Sequence, residues 1–589
     1  METKRIAEVV ENINYSYLLP AIQREFVWET SDIVDLFDSL LRDYPIGALL
    51  QWNLSAEEAQ AQPKYRFVTH YVDEPNFPQS LTTPTHRNPP HNSEDPLPSP
   101  VKLVLDGQQR LTALNIGLTG SFYERKHNHP RNKASSWVQK RLYLNLLSDP
   151  QTADSELGNK YDFSFRSEKS ATANAYWYPV NRIMSISDND DFYAERQEIE
   201  GEIQELVENH PEIENSDSLI LNAQRNFEDL YRAVHKDEKL HFFTEDENDI
   251  TRVRDVFVRI NQGGVTPNRA EILLSLMTSS WQQEPPEINA RDEVHSMVDE
   301  LNGIIDGGNA PFATKHVQKV LLAINGNEIQ YRFDNYTLDL LRNLKEIWLT
   351  DTFSNTMEQL AELLNSYYPT VTYILSPALY TPIAYYLYQN ENPSLDSTSI
   401  KGRGRRRDIL YYICAARLNG FTSQSSNQIA ELVRDVIREE EETSEFPLER
   451  ISDEVASSYG TSLRFTEEKL TTLFEELQYG KRDIEFLLQL SHYPDEPARG
   501  KDYDIDHIIP KSVLPEEADA DRVGNLQLLI DKTNKMKSDD DFEDWMNSRT
   551  DDYKQTHHIP EGAKEMIFEE FVDAREQLIM EHILEHQPF

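Results

Sequence analysis

The sequence predicts a mixed α+β protein built from more than one domain. Its 589 residues are too many for one hydrophobic core, because domains usually hold about 100–200 residues. Apolar runs typical of strands are frequent up to about residue 285, and helical periodicity dominates the region that follows. We therefore expect an α+β domain at 1–285, a mostly helical domain at 286–400, and a helical domain at 401–589 that carries a small site at 500–545.

The first domain begins with a helix, a strand and a long irregular segment. Apolar residues recur at helical spacing over residues 31–43, and Ser31 is placed to cap that helix. Residues 48–52 have the apolar character of a strand. Residues 73–100 are rich in Pro, Asn, Ser and His without any periodicity, which predicts an exposed loop.

A strand, a tight turn and a helix start follow one another after this loop. The apolar run at 101–105 leads directly into Asp106, Gly107, Gln108, Gln109 and Arg110. Such an arrangement points backbone N–H groups toward an anion, and an arginine one turn into the helix can bind phosphate through two hydrogen bonds. The same residues could equally form a turn and a helix cap without any ligand.

Later segments continue the pattern of strands first and helices afterwards. We expect strands at 141–147, 163–165 and 239–243 and an acidic helix at 193–210. Residues 256–265 combine a strand or helix end with Gly263 and Gly264. Helices are predicted at 338–349, 357–364 and 429–440.

A basic run at residues 401–407 is unusual in this acidic chain. It contains Lys401 and four arginines, Arg403, Arg405, Arg406 and Arg407. This run is a candidate phosphate contact, although a solvated loop fits the same residues.

Net charge and cysteine content restrict the class of protein. The formal net charge of −44 is unusual for a protein that approaches DNA, whose affinity normally comes from basic residues. A high-salt cytoplasm and a locally basic groove are the two explanations. One cysteine, Cys414, excludes an internal disulfide and a Cys-based zinc cluster, and its apolar neighbours predict burial.

The distribution of apolar residues argues against membrane association. No run of about 18 apolar residues occurs, and the first residues lack a signal-peptide core. We expect a cytoplasmic protein without a membrane partner. The oligomeric state stays open, a homo-oligomer included.

The C-terminal third contains the residues that a one-metal nuclease needs. Asp506 and His507 end a short apolar run that starts near Asp504, and Pro510 follows them. A histidine is suited to take a proton from water near neutral pH, and Mg²⁺ prefers carboxylate and amide oxygens. Because adjacent strand residues point to opposite faces, Asp506 and His507 can converge on one substrate only at a strand end or a bulge.

This stretch resembles the HNH, or ββα-metal, nuclease motif. The similarity rests on Asp506 and His507 with Pro510, on Gly524 and Asn525, and on Asn534 with Lys537. The resemblance implies that His507 activates water, that Asp506 and Asn534 bind Mg²⁺ or Mn²⁺, and that Asn525 braces the loop and orients His507. Lys537 would touch the scissile phosphate, Asp504 would be a supporting or alternative ligand, and Lys511 would contact DNA.

The first half is similar to the ParB/sulfiredoxin-like domain of GmrSD-type defence enzymes, in which this domain precedes an HNH domain. The segments that carry the resemblance contain Gln23 and Arg24, the turn from Asp106 to Arg110, and Arg259 with Asn261. The resemblance implies nucleoside triphosphate binding and hydrolysis, with GTP favoured, by a site that contains Gln23, Arg24, Asp106, Gly107, Gln108, Gln109, Arg110, Arg259 and Asn261. Such enzymes degrade modified foreign DNA, and related members recognise glucosylated hydroxymethylcytosine, other base modifications or phosphorothioate-marked DNA.

The resulting hypothesis is a nucleotide-regulated, divalent-metal-dependent DNA endonuclease that cuts or nicks modified or phage DNA in host defence, a type IV restriction enzyme. Because no Walker-type lysine loop occurs, we expect slow nucleotide turnover, as in a switch. An alternative is a ParB-like, nucleotide-gated DNA-binding regulator with an inactive nuclease domain. A third possibility is an RNA-directed HNH ribonuclease or toxin.

Overall fold

The structure, a computed structural model, divides the chain into two compact units, residues 1–291 and 292–589. It describes residues 2–589 except 61, 75–76, 79, 93–94, 132, 151–157, 173, 211–215, 248–251, 254–255, 257–268, 284, 306–309, 332–335, 366–373, 397, 424, 441–444, 496–502 and 531–541. The first expected boundary, at 285, lies close to this division. The boundary expected at 400 stays a prediction.

The N-terminal unit mixes strands and helices, as the sequence predicts. Its strands are β1 Glu2–Lys4, β2 Tyr17–Pro20, β3 Leu49–Leu54, β4 Lys64–Tyr65, β5 His70–Val72, β6 Val101–Asp106, β7 Ser121–Arg125, β8 Trp137–Asn145, β9 Phe163–Arg166, β10 Ala171–Thr172, β11 Ala175–Pro179 and β12 Leu240–Glu245. Its helices are α1 Ile6–Glu11, α2 Thr30–Leu41, α3 Ala56–Gln60, α4 Gln108–Leu118, α5 Asn189–Asn209, α6 Ser216–Tyr231 and α7 Arg269–Trp281.

These strands form two mixed sheets. The first has the order β1-β12-β3-β6-β2-β4, in which β12 and β3, and β2 and β6, run parallel. The second has the order β10-β11-β8-β7-β5, with β9 also paired to β8. The predicted strands at 101–105, 163–165 and 239–243 are therefore present, each with an end shifted by a few residues.

Apolar residues on both faces explain why the first sheet is buried. Along β2, Leu18 belongs to one buried cluster and Leu19 to another. The same alternation holds for Leu103 and Val104 on β6, because successive strand residues point to opposite faces. Helix α4 packs on the face of Leu19 and Val104, where Leu114 joins the cluster. The turn at residue 107 is thus fixed between a buried strand and a buried helix.

Two local expectations in this unit are wrong. Helix α2 starts at Thr30 after the N-cap Glu29, whose backbone N–H donates to Asp32 Oδ2 at 2.9 Å, so Ser31 lies inside the helix. Residues 73–100 are not simply an exposed loop, because Asn88 is only 3% exposed. Asn88 donates from its backbone N–H to Glu25 Oε2 at 2.5 Å and from Nδ2 to the Arg24 carbonyl oxygen at 3.2 Å. The local composition does not reveal these contacts with a distant segment.

The C-terminal unit is mostly helical and carries one hairpin in its described part. Its helices are α8 Ala290–Ile304, which spans the division, α9 Thr314–Ile324, α10 Leu338–Trp348, α11 Asp351–Asn365, α12 Pro377–Gln389, α13 Ile400–Leu418, α14 Ser426–Glu439, α15 Leu448–Tyr459, α16 Glu467–Glu476, α17 Ile484–Leu490, α18 Phe542–Asn547, α19 Asp551–Thr556 and α20 Phe568–His586. Strands β13 Tyr503–His507 and β14 Leu526–Ile530 form the hairpin. None of the helices that the structure describes is long and apolar enough to cross a membrane.

The basic run is not a loop but the start of helix α13. Ser399 caps this helix by accepting a hydrogen bond from Gly402 N–H at 3.0 Å. A side chain at position 402 would overlap the carbonyl oxygen of Asp396, so the glycine permits this close approach. Cys414, further along the same helix, is fully buried as predicted.

We expect Gly107→Ala to destabilise the protein. Gly107 has φ +93°, and a Cβ there would lie 1.9 Å from Leu49 Cδ2, so backbone strain and overlap should lower the free energy of unfolding by about 2 kcal/mol. Urea denaturation followed by circular dichroism measures the change.

Gly201→Ala is the matched control. Gly201 lies inside helix α5 and a Cβ there meets no atom within 4 Å. Because alanine favours a helix over glycine, this variant should gain about 0.5–1 kcal/mol. Equal behaviour of the two variants would contradict the strained turn.

Candidate active site

The hairpin β13–β14 places His507 at the end of a strand, as the sequence predicts. The two strands are antiparallel, with Asp506 opposite Gln527 and His507 opposite Leu526. Residues 508–525 connect them and form the rim of the site. Adjacent strand residues point to opposite faces, so Asp506 and His507 meet different surroundings.

Asn525 ties this connecting segment together. It is fully buried, and its side chain donates to the carbonyl oxygens of Ile509 at 3.1 Å and Ala520 at 2.9 Å and accepts from the Ile509 N–H at 2.9 Å. The backbone carbonyl oxygen of Asn525 accepts a further hydrogen bond from the Ile508 N–H at 2.8 Å. Asn525 therefore fixes the backbone immediately after His507, which is the position that a loop-bracing residue requires.

The ring of His507 is held by Asp521. His507 Nε2 lies 2.9 Å from Asp521 Oδ1, and Lys511 Nζ lies 2.8 Å from the same oxygen and 2.9 Å from Oδ2. Burial raises the pKa of Asp521, but hydrogen bonds from Lys511 and His507 outweigh it and hold the pKa below its ordinary value. Tyr479 packs against the His507 ring with a centroid separation of 4.6 Å.

Asp506 is held by a different pair of residues. Gln527, only 1% exposed, donates from Nε2 to Asp506 Oδ2 at 2.8 Å. The Tyr553 hydroxyl donates to Gln527 Oε1 at 2.6 Å, and burial raises the pKa of Tyr553, so this hydroxyl keeps its proton. The amide of Gln527 is therefore fixed with its N–H groups toward Asp506.

The donor chemistry on this side fits a hard divalent cation. Asp504 and Asp506 are two residues apart on β13 and share one face. Mg²⁺ is typically held by one or two carboxylates with water completing its shell, and the two oxygens of Asp506 can serve Gln527 and an ion together. Among the described residues no group of three His, Cys, Asp or Glu side chains could hold a metal, and the predicted ligand Asn534 lies outside them.

Four of the predicted site residues lie outside the described residues. These are Arg259, Asn261, Asn534 and Lys537. Their roles stay predictions.

A buried arginine binds the backbone of the hairpin at the start of β14. Arg575 on α20 is 2% exposed, and it donates to the carbonyl oxygens of Val523 at 3.2 Å, Gly524 at 3.0 Å and Leu526 at 2.8 Å. It also donates to the carbonyl oxygen of His557 at 2.9 Å. Burial lowers the pKa of Arg575 to about 10, so the guanidinium keeps its charge at neutral pH.

Most of the arginines predicted to bind DNA have partners within the protein. Arg405 donates to the Ser394 carbonyl oxygen at 3.2 Å, and Arg407 forms an ion pair with Asp408 at 3.1 Å. Arg406 is 9% exposed, and Arg403 is exposed on the first turn of α13. Lys511 lies beside His507, as described above, with about half of its side chain exposed.

The turn at residues 106–110 in the N-terminal unit is built around Arg110. Its guanidinium donates to the Ile46 carbonyl oxygen at 2.6 Å and forms an ion pair with Asp106 at 3.1 Å. Gly47 and Gly107 both have positive φ, and a Cβ at either position would lie close to this guanidinium. Two glycines therefore make room for the guanidinium of Arg110.

The glutamines predicted to bind nucleotide hold the segment 23–27 in place. Gln108 donates to the Arg24 carbonyl oxygen at 2.6 Å, and Gln109 donates to the Glu25 carbonyl oxygen at 3.0 Å. Gln109 Oε1 also accepts from the Val27 N–H at 3.0 Å. Gln23 donates to the Leu105 carbonyl oxygen. These amides thus connect the predicted nucleotide segments to each other.

Arg24 differs from these glutamines because its side chain binds no other group in the described part of the chain. It is partly exposed and makes no side-chain hydrogen bond or ion pair within the described part of the chain. Of the nearby aromatic residues, Tyr17 and Phe26 are 2% and 1% exposed and belong to the core, and Trp28 is partly buried against it.

Several residues at these sites were not identified from the sequence. Asp521, Tyr479, Gln527 and Tyr553 surround the hairpin, and Arg291 donates to the Gln23 carbonyl oxygen at 2.8 Å. The one available signal was the position of Asp521 shortly before Gly524 and Asn525. Gln527 follows Asn525 closely and meets Asp506 only through strand pairing, whereas Tyr479, Tyr553 and Arg291 come from distant parts of the chain.

Comparison with known proteins gives one finding. Residues 6–278 match the family model described as "GmrSD restriction endonuclease, N-terminal domain". The match covers 273 of the 589 residues and shows that the N-terminal unit is similar to the N-terminal domain of that family. No curated protein matches the chain.

Replacing Arg575 should weaken the C-terminal unit. Arg575→Met leaves three carbonyl oxygens of the hairpin and that of His557 without their buried donor, which should cost about 3 kcal/mol of stability. Gln577→Met on the same helix is the control, because Gln577 is exposed and bonds only Glu581 among the described contacts. Urea unfolding curves with the same midpoint for both variants would contradict the supporting role of Arg575.

Proposed function

We propose that this protein is a nucleotide-regulated, divalent-metal-dependent DNA endonuclease that cuts or nicks modified or phage DNA in host defence. The observation that carries the proposal is the hairpin, on which His507 ends a strand with its ring held by Asp521, next to Asp506. The match of residues 6–278 to the restriction endonuclease family supports DNA as the substrate.

The proposed chemistry follows from His507 at the end of β13 and from Asp521, which contacts its ring. Asp521 is a carboxylate without a proton, so His507 must donate to it from Nε2, and Nδ1 is then the basic nitrogen. A water that gives its proton to Nδ1 can attack the phosphorus, and the bond from phosphorus to the leaving sugar oxygen breaks. General-base assistance of this kind typically contributes a factor of about 10² to 10⁴.

Asp506 and Asn534 are the proposed ligands of Mg²⁺ or Mn²⁺. When bound, such an ion supplies positive charge that stabilises the phosphate in the transition state. Lys537 and Lys511 would contact phosphate oxygens of the DNA backbone.

The N-terminal unit would regulate this site by binding a nucleoside triphosphate, with GTP favoured. Arg24 has a side chain available for a ligand, and Arg110 is about one turn inside α4, whose start offers backbone N–H groups to phosphate. Arg259 and Asn261 would complete the site. The lack of a Walker lysine favours slow hydrolysis.

We expect His507→Ala to abolish metal-dependent cutting. A panel of one DNA sequence, unmodified or carrying glucosylated hydroxymethylcytosine, hydroxymethylcytosine or phosphorothioate, is incubated with and without each NTP and Mg²⁺ or Mn²⁺. The variant should cut at least about 100-fold more slowly because the general base is lost.

His127→Ala is the control for this panel, because His127 is exposed and lies in the N-terminal unit. It should cut like the unchanged protein. If His507→Ala cuts as fast as the unchanged protein, His507 is not the general base and the proposed site fails. If neither protein cuts any DNA while nucleotide-dependent DNA binding persists, the protein is a DNA-binding regulator.

We expect Arg110→Ala to abolish nucleotide hydrolysis, because it removes the charge that the turn is built around. Phosphate release from GTP, ATP and CTP measures the effect, and Arg5→Ala, a change of an exposed arginine without side-chain contacts in the described structure, serves as control. Arg110→Lys tests whether loss of charge or loss of fold is responsible. Full hydrolysis by Arg110→Ala would contradict the nucleotide assignment.

A further inference from the structure

We propose that Asp521 is the positioning residue of His507, and that it aligns the histidine ring and Lys511 for the same phosphate. This inference rests on the proposed function and adds a role for an acidic residue that the nuclease motif does not contain. It is carried by the contacts of Asp521 with both side chains and by its place on the connecting segment.

The geometry leaves one orientation of the His507 ring. Asp521 Oδ1 accepts from Nε2 at 2.9 Å, and the Tyr479 ring covers one face of the imidazole at 4.6 Å. The Tyr479 backbone N–H donates to the Asp521 carbonyl oxygen at 3.0 Å, so the two residues that hold the ring also hold each other. With Nε2 engaged, the ring can offer only Nδ1 to water.

The connecting segment makes the position of Asp521 well defined. The Asp521 N–H donates to Asp519 Oδ1 at 3.2 Å, and Asn525 binds the carbonyl oxygen of Ala520. Asp521 therefore follows directly after Ala520, whose carbonyl oxygen binds Asn525. Asn525 also fixes the backbone after His507. Because both the backbone and the ring of His507 are held, this histidine loses little conformational freedom when substrate binds.

Lys511 shares the same carboxylate. Its ammonium contacts both oxygens of Asp521 and lies 5.6 Å from the centroid of the Tyr479 ring. About half of the Lys511 side chain is exposed, so it can contact a phosphate oxygen while Asp521 restrains it. The carboxylate thus places a proton acceptor and a phosphate-binding cation side by side.

Asp521→Asn tests this role in the full-length protein. The change keeps the size of the side chain but removes the charge that enforces the Nε2–H form, since an amide can face the ring with either its oxygen or its NH₂ group. We expect kcat on the DNA that the panel identifies as cut to fall at least about tenfold, with KM changed less than about twofold.

Glu517→Gln is the matched control. Glu517 lies in the same connecting segment, is exposed, and makes no side-chain contact within the described residues. It should leave kcat and KM unchanged. An equal fall of kcat in both variants would show a general effect of charge and overturn the proposal, as would unchanged kcat in Asp521→Asn.

Combining the changes separates positioning from a merely structural role. In a His507→Ala background Asp521→Asn should cost clearly less than in the unchanged protein, because one of the two side chains that it orients is gone and only its effect through Lys511 remains. Additive losses would overturn the proposal.

Nitrogen-15 NMR of histidine-labelled protein gives a readout that needs no activity. At pH 8 the His507 signals, assigned by their absence in His507→Ala, should show a protonated Nε2 and an unprotonated Nδ1, and Asp521→Asn should produce a mixture of the two tautomers. A protonated Nδ1 in the unchanged protein would overturn the positioning role. If His507→Ala still cuts DNA, the proposed function fails instead, and the NMR result judges Asp521 separately.

Discussion

The buried guanidinium of Arg575 is the interaction on which the candidate active site depends. It binds three carbonyl oxygens just before and at the start of β14, and a fourth on the segment after α19. A buried charge is costly unless it is fully hydrogen-bonded, and here the oxygens that satisfy it belong to the backbone that brackets Asn525. The stability of helix α20 and the shape of the hairpin are therefore linked, and the hairpin gains a fixed position that two short strands alone would lack.

The adjacent residues Asp506 and His507 are held by separate groups of side chains. His507 meets Asp521, Lys511 and Tyr479, whereas Asp506 meets Gln527 and, through it, Tyr553. The separation follows from the alternation of side chains along β13. The carboxylate of Asp506 and the ring of His507 therefore have different hydrogen-bond partners.

The sequence predicted those parts of the fold that local patterns determine. The strand at 101–106, the end of β13 at His507 and the burial of Cys414 follow from apolar runs bounded by turn residues. The helix at the basic run was missed because two glycines and five cations in seven residues hide its periodicity, while Ser399 and the packing of Gly402 against Asp396 stabilise it. Ser31 is not the cap because the N-cap is Glu29, two residues earlier, whose backbone N–H donates to Asp32.

At the site itself, the motif identified Asp506, His507 and Asn525 but none of their partners. Asp521 contacts His507 only because residues 508–525 fold back on themselves, and Gln527 contacts Asp506 only through strand pairing. Such contacts depend on the register and on long-range packing, which spacing in one sequence does not contain. The same holds for Arg575, whose helical position alone would suggest an ordinary charged surface residue.

One segment of the N-terminal unit is bound from two sides. The segment 23–27 is bound on one side by Gln108 and Gln109 of the turn and on the other by Arg291, which donates to the Gln23 carbonyl oxygen and pairs with Glu25. Arg291 is the last residue of this unit. Arg291 is also the second residue of α8, so the turn, the segment 23–27 and the beginning of this helix form one hydrogen-bonded network.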